Sequence, residues 1–386
     1  MTAEIRIPAI LKIGGGSFLE VAPILVRLGC KKTLLVTDAF LVSRGLPEKL
    51  QSQIESAGVG CGIFSETVPD PTTDAVAAGV KVFLACEYDS LISLGGGSPI
   101  DTAKAIGMLA TNGGRVRDYK VPNLIPKSGP PHIAIPTTAG TGSEVTRFTV
   151  ITDSVSGEKM LIAGDVLLPT AAVVDYELTM TMPRRLTADT GTDSLTHAIE
   201  AYVSRKANPF TDTFALAAMK TIWHMLPKAC HEPDKREARE AMMLAATLAG
   251  IAFSNSSVAL VHGMSRPIGA HLHVPHGLSN AMLLPAVTAF SLNAAPERYA
   301  QCACAMGLAQ ATDSDQAAGE HLVAALFERN AELQTPSPKL YGIDEELYRS
   351  LIPTMAAQAL DSGSPQNNPR VPTQEEICDL YRQIFD

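Results

Sequence analysis

The sequence has no basic run and no interleaving of basic with aromatic residues. Its 31 Lys and Arg are outnumbered by 40 Asp and Glu, for a formal net charge of −9. That balance excludes the phosphate-neutralising surface a nucleic-acid binder needs. One or two lysines and some backbone N–H groups still suffice for a small anion. No stretch of 18 apolar residues occurs, so no membrane span is expected. Residues 241–254 carry polar interruptions and read as a buried helix. The N-terminal residues lack the basic-then-apolar pattern of a secretory leader. Seven cysteines, an odd count without zinc-finger spacing, read as reduced and mostly structural, which points to the cytoplasm. What is present, 46% apolar residues and 29 glycines among 386, suits a globular protein with a substantial core. At about 150 residues per domain the length allows two or three domains.

The first half alternates in type. Residues 33–37, 59–64, 90–94 and 132–136 read as strands, separated by helical periodicity over 47–57, 72–86 and 99–110. That rhythm predicts a parallel sheet with helices on both faces. Residues 147–153 and 158–162 predict a hairpin turning at Ser156-Gly157, and 173–175 the last strand. Beyond Pro183 strand signals stop, and Ala-, Leu- and Met-rich helical stretches run over 187–204, 212–228, 235–253 and 296–306. A final helix is expected from about Thr373, with Glu375 and Glu376 in its first turn. The composition shift divides the chain into an α/β domain, 1–182, and an all-α domain, 183–386.

Two loops in the first half carry chemistry. One strand runs into Gly95-Gly96-Gly97, where Ser98 can cap a helix with Pro99 at its first position. Either this is a tight turn, or a pyrophosphate lies against the N–H groups of the helix start. Gly14-Gly15-Gly16 is open between the same two readings. The segment from Pro136 to Glu144 packs four hydroxyls among two glycines, a density that suits a ribose, a nicotinamide amide or a phosphate. Asp38 ends a strand, where a carboxylate either caps a helix or accepts from the two hydroxyls of an adenosine ribose. In the second role it favours NAD over NADP, because it would repel a 2′-phosphate.

The second half is sharper. Asp193 and His197 stand at i and i+4 on one helical face. Further on, His262, His271, His273 and His276 cluster within fifteen residues. His262 lies in an apolar helix, a poor place for an unpaired imidazole, although a hydrogen-bonded core histidine is the commoner outcome. His276 follows a Pro break and precedes Gly277, where the chain can turn back. One carboxylate and three imidazoles suit a single divalent transition ion, Fe²⁺ or Zn²⁺, with a position left for a substrate oxygen.

At these motifs the chain resembles the iron-containing, group III alcohol dehydrogenases, from about Pro8 to Leu380. The resemblance implies their dehydroquinate synthase-like architecture. It implies Asp193, His197, His262 and His276 as ligands of one divalent metal, Fe²⁺ ahead of Zn²⁺. It places Asp38, Gly95, Gly96, Gly97, Ser98, Asp101, Thr137, Thr138, Thr141 and Lys159 at NAD, and Phe148 and Phe253 near the substrate. Several members carry a His-Pro pair one turn beyond the third ligand. Here the pair is Arg266-Pro267, and arginine is a poor general base. Arg266 is left to stabilise a cofactor or substrate oxygen, while His271, the ribose hydroxyls or a water chain are the proton routes that remain.

The implied reaction transfers a hydride between a primary or small secondary alcohol, bound as an alkoxide on the metal, and NAD, giving an aldehyde or ketone, and the reverse. The alternatives on the same architecture are a glycerol or polyol dehydrogenase and a dehydroquinate synthase-like cyclase or lyase. Small alcohols and aldehydes are the expected partners, with a homodimer or larger homo-oligomer as the assembly.

Overall fold

The structure, a computed structural model, describes residues 2–386. Two compact units divide the chain, Ile5–Thr181 and a second whose body is Met182–Asp386.

The first unit runs β1 (Ile10–Ile13), α1 (Val21–Arg27), β2 (Lys32–Asp38), α2 (Ala39–Ser43), α3 (Leu46–Ser56) and β3 (Gly60–Thr67). It continues with α4 (Thr73–Ala85), β4 (Ser90–Gly95), α5 (Gly97–Asn112), β5 (His132–Pro136), β6 (Phe148–Thr152), β7 (Lys159–Ala163) and β8 (Ala171–Val174). Six strands form one parallel sheet in the order β1-β8-β5-β4-β2-β3. Period-two alternation splits its side chains between two cores. Leu35, Ile92, Leu94, Ile133 and Ile135 pack with α1 and α3 residues such as Leu25, Leu50 and Ile54. Leu34, Val36 and Leu91 pack on the opposite face with Val76 and Phe83 of α4 and Ile106 of α5. Being covered on both sides, the strands need no polar face. β6 and β7 pair antiparallel as a hairpin, with Gly157 in its turn at φ +71°.

From β2 the chain crosses to β3 on one side, whereas β4, β5 and β8 follow on the other. The reversal of strand order falls between β2 and β4, and Asp38 and Gly95 end those two neighbours. Open parallel sheets bind ligands at the carboxyl ends of strands flanking such a reversal.

The second unit is helical: α6 (Arg184–Val203), α7 (Pro209–His231), α8 (Arg236–Ser254), α9 (Leu260–Leu272) and α10 (His276–Ser291). There follow α11 (Pro296–Met306), α12 (Asp315–Glu332), α13 (Pro338–Tyr341), α14 (Glu345–Asp361) and α15 (Gln374–Gln383). α6 is buried almost throughout from Thr187 onward and packs on α7, α8 and α10. Thr373 caps α15 in a capping box with Glu376. Among the described residues no helix is long and apolar enough to cross a membrane.

Candidate metal centre

α6 crosses the helical unit with Asp193, His197 and Glu200 on buried turns. α9 presents His262, and α10 begins at His276, its first residue, behind Pro275. Gly277 is not the turning point expected of it. It lies inside the first turn of α10, and a Cβ there would stand 2.5 Å from the Asp189 carbonyl oxygen on α6. Only glycine lets the start of α10 approach α6 that closely, and this brings His276 to Asp193.

Ligand atoms of Asp193, His262 and His276 lie within 4.8 Å of one another. From Asp193 Oδ1 the Nε2 atoms of His262, His276 and His197 are 3.5, 3.7 and 3.9 Å away. Donors about 2.1 Å from a tetrahedral ion stand about 3.4 Å apart, so the Asp193, His262 and His276 spacings fit a first-row divalent cation. His197, the fourth ligand expected, is not in the mutually close group, and its Nε2 stands 3.9 Å from Asp193 Oδ1. His197 stacks between Phe253 and His262, at ring centroid distances of 4.2 and 4.5 Å, which fixes its plane. Asp193 and His262 are buried, whereas the His276 side chain is 39% exposed and forms the open side of the group.

Sequence reasoning gave no role to Glu200 or Asn280. Glu200 Oε2 lies 2.6 Å from His262 Nδ1, and its Oε1 accepts the Val261 N–H at 2.6 Å. A carboxylate on Nδ1 keeps a proton there and points Nε2 at the Asp193 side of the group, the arrangement typical of metal-ligating histidines. Burial alone would push the His262 imidazole down; Glu200 and Asp193 outweigh it and hold it up to about 9. Burial alone would raise the Asp193 carboxyl, but the imidazoles of His197, His276 and His262 hold it well below the ordinary range. The Asn280 amide also points into the group.

Arg266 and His271 each have a hydrogen-bond partner in the C-terminal part of the helical unit. Arg266 donates to Ser364 Oγ at 3.0 Å, and His271 Nε2 lies 2.8 Å from Gln358 Oε1 of α14. His271 sits in the last turn of α9, and helical rotation carries it off the face that bears His262. His271 thereby joins α9 to α14.

In the first unit the two loops touch. The Thr137 N–H donates to the Gly95 carbonyl at 2.9 Å, and Gly96 and Gly97 pack against Thr138 and Thr141. Ser98 is not the cap of α5. Gly96 holds that position and makes no side-chain bond to the leading N–H groups of the sixteen-residue helix, which begins at the end of β4. Asp101 is taken by the protein: its oxygens accept from Ser143 Oγ at 2.6 Å and the Val150 N–H at 2.9 Å. Lys159 pairs with Asp70 at 2.8 Å. Asp38 caps α2 through the Leu41 N–H at 2.9 Å.

Lys104, also without a role from sequence, is buried on α5. Its Nζ lies within 3.2 Å of five oxygens of Ser143, Thr146 and Phe148. Burial pushes the ammonium down to about 8, against Asp101 and Glu144, which support the charge. The hydroxyl-rich loop is thereby pinned to α5.

A parallel sheet with paired glycine- and hydroxyl-rich loops at its switch point, in one chain with a helical unit that carries a buried Asp/His donor set, suits an enzyme that uses a nucleotide cofactor and a metal. The comparisons narrow this class. Residues 8–176 match the family described as iron-containing alcohol dehydrogenase, and 187–385 its C-terminal domain. The chain is 44% identical to NAD-dependent methanol dehydrogenase of Bacillus methanolicus, over 98% of this chain and 99% of that one. It is 38% identical to 1,3-propanediol dehydrogenase of Citrobacter freundii, over 93% and 92%. A crystal structure of 1,3-propanediol oxidoreductase superposes over all of both chains with a TM-score of 0.95 at 36% identity. The chain belongs to the iron-containing alcohol dehydrogenase family.

Proposed function

We propose that the protein is an NAD-dependent alcohol dehydrogenase that holds one divalent ion, Fe²⁺ in preference to Zn²⁺, on Asp193, His197, His262 and His276. It transfers a hydride between a primary or small secondary alcohol and NAD, in either direction. The observation that carries this reading is the buried Asp193–His262 contact with His262 locked by Glu200, a donor set whose charge and spacing suit a cation. When bound, the ion supplies the positive charge that lowers the pKa of a substrate hydroxyl, and NAD supplies the hydride acceptor. The protein supplies orientation. Glu200 fixes the His262 tautomer, Phe253 and His262 fix the His197 plane, and partly exposed His276 leaves one side of the group accessible. Gly96 to Ser98 offer backbone N–H groups to the cofactor pyrophosphate, and Asp38 meets the adenosine ribose, favouring NAD over NADP. A cytoplasmic homo-oligomer is part of the same proposal.

Replacing His276 by Ala tests it. Most bound metal should be lost and kcat should fall by orders of magnitude, with helicity kept and NAD still bound. Full metal content with normal turnover would overturn the assignment. Loss of helicity together with metal would make the ion structural.

A further inference from the structure

Asn280 lies on α10 one turn beyond His276 and is completely buried. Its Nδ2 is 2.6 Å from Asp193 Oδ1, and 3.2 Å from each of His262 Nε2 and His276 Nε2. Those three atoms are the donor set of the metal group. The ionised carboxylate fixes which end of the amide faces it, since a carbonyl oxygen at that distance would be repelled. The short contact to Asp193 takes one hydrogen of the amide nitrogen, and the nitrogen lies against both imidazole Nε2 atoms. Asn280 Oδ1, meanwhile, is buried with no hydrogen-bond partner. An apolar residue of the same shape would fill the space without burying that oxygen, so packing does not explain an amide here.

We propose that Asn280 is a positioning residue of the metal centre, resting on the reading of Asp193, His262 and His276 as ligands. Its N–H holds the Asp193 carboxylate so that Oδ1 faces the two imidazoles. Asn280 therefore tunes affinity and coordination geometry without being a ligand.

Titrating the full-length, metal-stripped protein with Co²⁺ tests this, following the visible absorption of the bound ion, with melting measured with and without Co²⁺. Asn280→Leu keeps the shape, and Asn280→Ala is the second variant if Leu is not accommodated. Co²⁺ binding should weaken 10- to 100-fold, as for other residues that orient metal ligands, and the absorption envelope should change, while NAD affinity stays as in the wild type. A Co²⁺ affinity within twofold of the wild type with an unchanged spectrum would overturn the proposal, and equal melting losses with and without Co²⁺ would then assign Asn280 to packing. Wild-type protein that takes up no Co²⁺ would instead overturn the ligand assignment itself.

Discussion

Glu200 decides which nitrogen of His262 is available. Both of its oxygens are engaged, one by the imidazole and one by the Val261 N–H, so the carboxylate cannot swing away without leaving a buried N–H unpaired. Glu200→Gln keeps the shape and removes the charge. Metal affinity should fall at least tenfold, read by equilibrium dialysis against Zn²⁺, with near-wild-type far-ultraviolet circular dichroism. Unchanged affinity would mean that packing alone orients His262. Asp193, His262 and His276, which the structure brings together, stood out in sequence because metal chemistry demands particular residue types. Glu200 and Asn280 were not legible, since a lone buried Glu or Asn on a helix has no spacing signature; each is recognised only when the helix opposite places its partner. Asp38 shows the reverse case: a strand-end carboxylate suits the helix-cap and the ribose readings alike in sequence, and in the structure its Oδ1 caps α2.

At the level of elements, strands covered on both faces were read well because continuous β-branched and apolar runs are distinctive. β1 escaped: Ile10–Ile13 is four residues, partly exposed, and pairs with β8 from the far end of the unit. The start of α5 was misread because Ser98-Pro99 has the form of a cap, whereas Gly96 takes that position. On β5, His132 is buried with its Nε2 2.8 Å from Ser93 Oγ of β4. Burial, with Lys104 adding repulsion, lowers its pKa from 6.5 to about 3. A pKa below the unfolded value means that the unfolded chain binds the proton first. Stability is therefore fully present above pH 6.5 and is lost as the pH falls toward 3, by at most about 1.4 kcal/mol per pH unit. Urea melts between pH 7 and 4.5 should show this slope, and His132→Asn should flatten it. An equal slope in the variant would place the acid sensitivity elsewhere. For α10, Gly277→Ala should force the helix start away from the Asp189 carbonyl. Metal content should drop by tenfold or more while the far-ultraviolet spectrum stays helical, and retained metal would show that α10 can shift without moving His276.

Across the whole molecule, the residues assigned to NAD lie in Ile5–Thr181 and those assigned to the metal lie in Met182–Asp386. Composition carried this division, because strand signals end where the helical unit begins. Each ligand stabilises the state it binds by an amount set by its concentration over Kd, about 2.7 kcal/mol at a hundredfold excess. Amide hydrogen exchange resolves where that stabilisation is expressed. NAD alone should slow exchange around Gly95–Ser98 and Thr137–Thr141, the N–H groups at the carboxyl ends of β4 and β5. Zn²⁺ alone should slow it in α6, α9 and the first turns of α10, where Asp193, His262 and His276 are carried. His276→Ala should abolish the second pattern and keep the first. If Zn²⁺ protected the sheet loops as strongly as α6 in the wild type, the two sites would not be separately anchored. If NAD protected neither glycine loop, the cofactor would have to lie away from the switch point between β2 and β4.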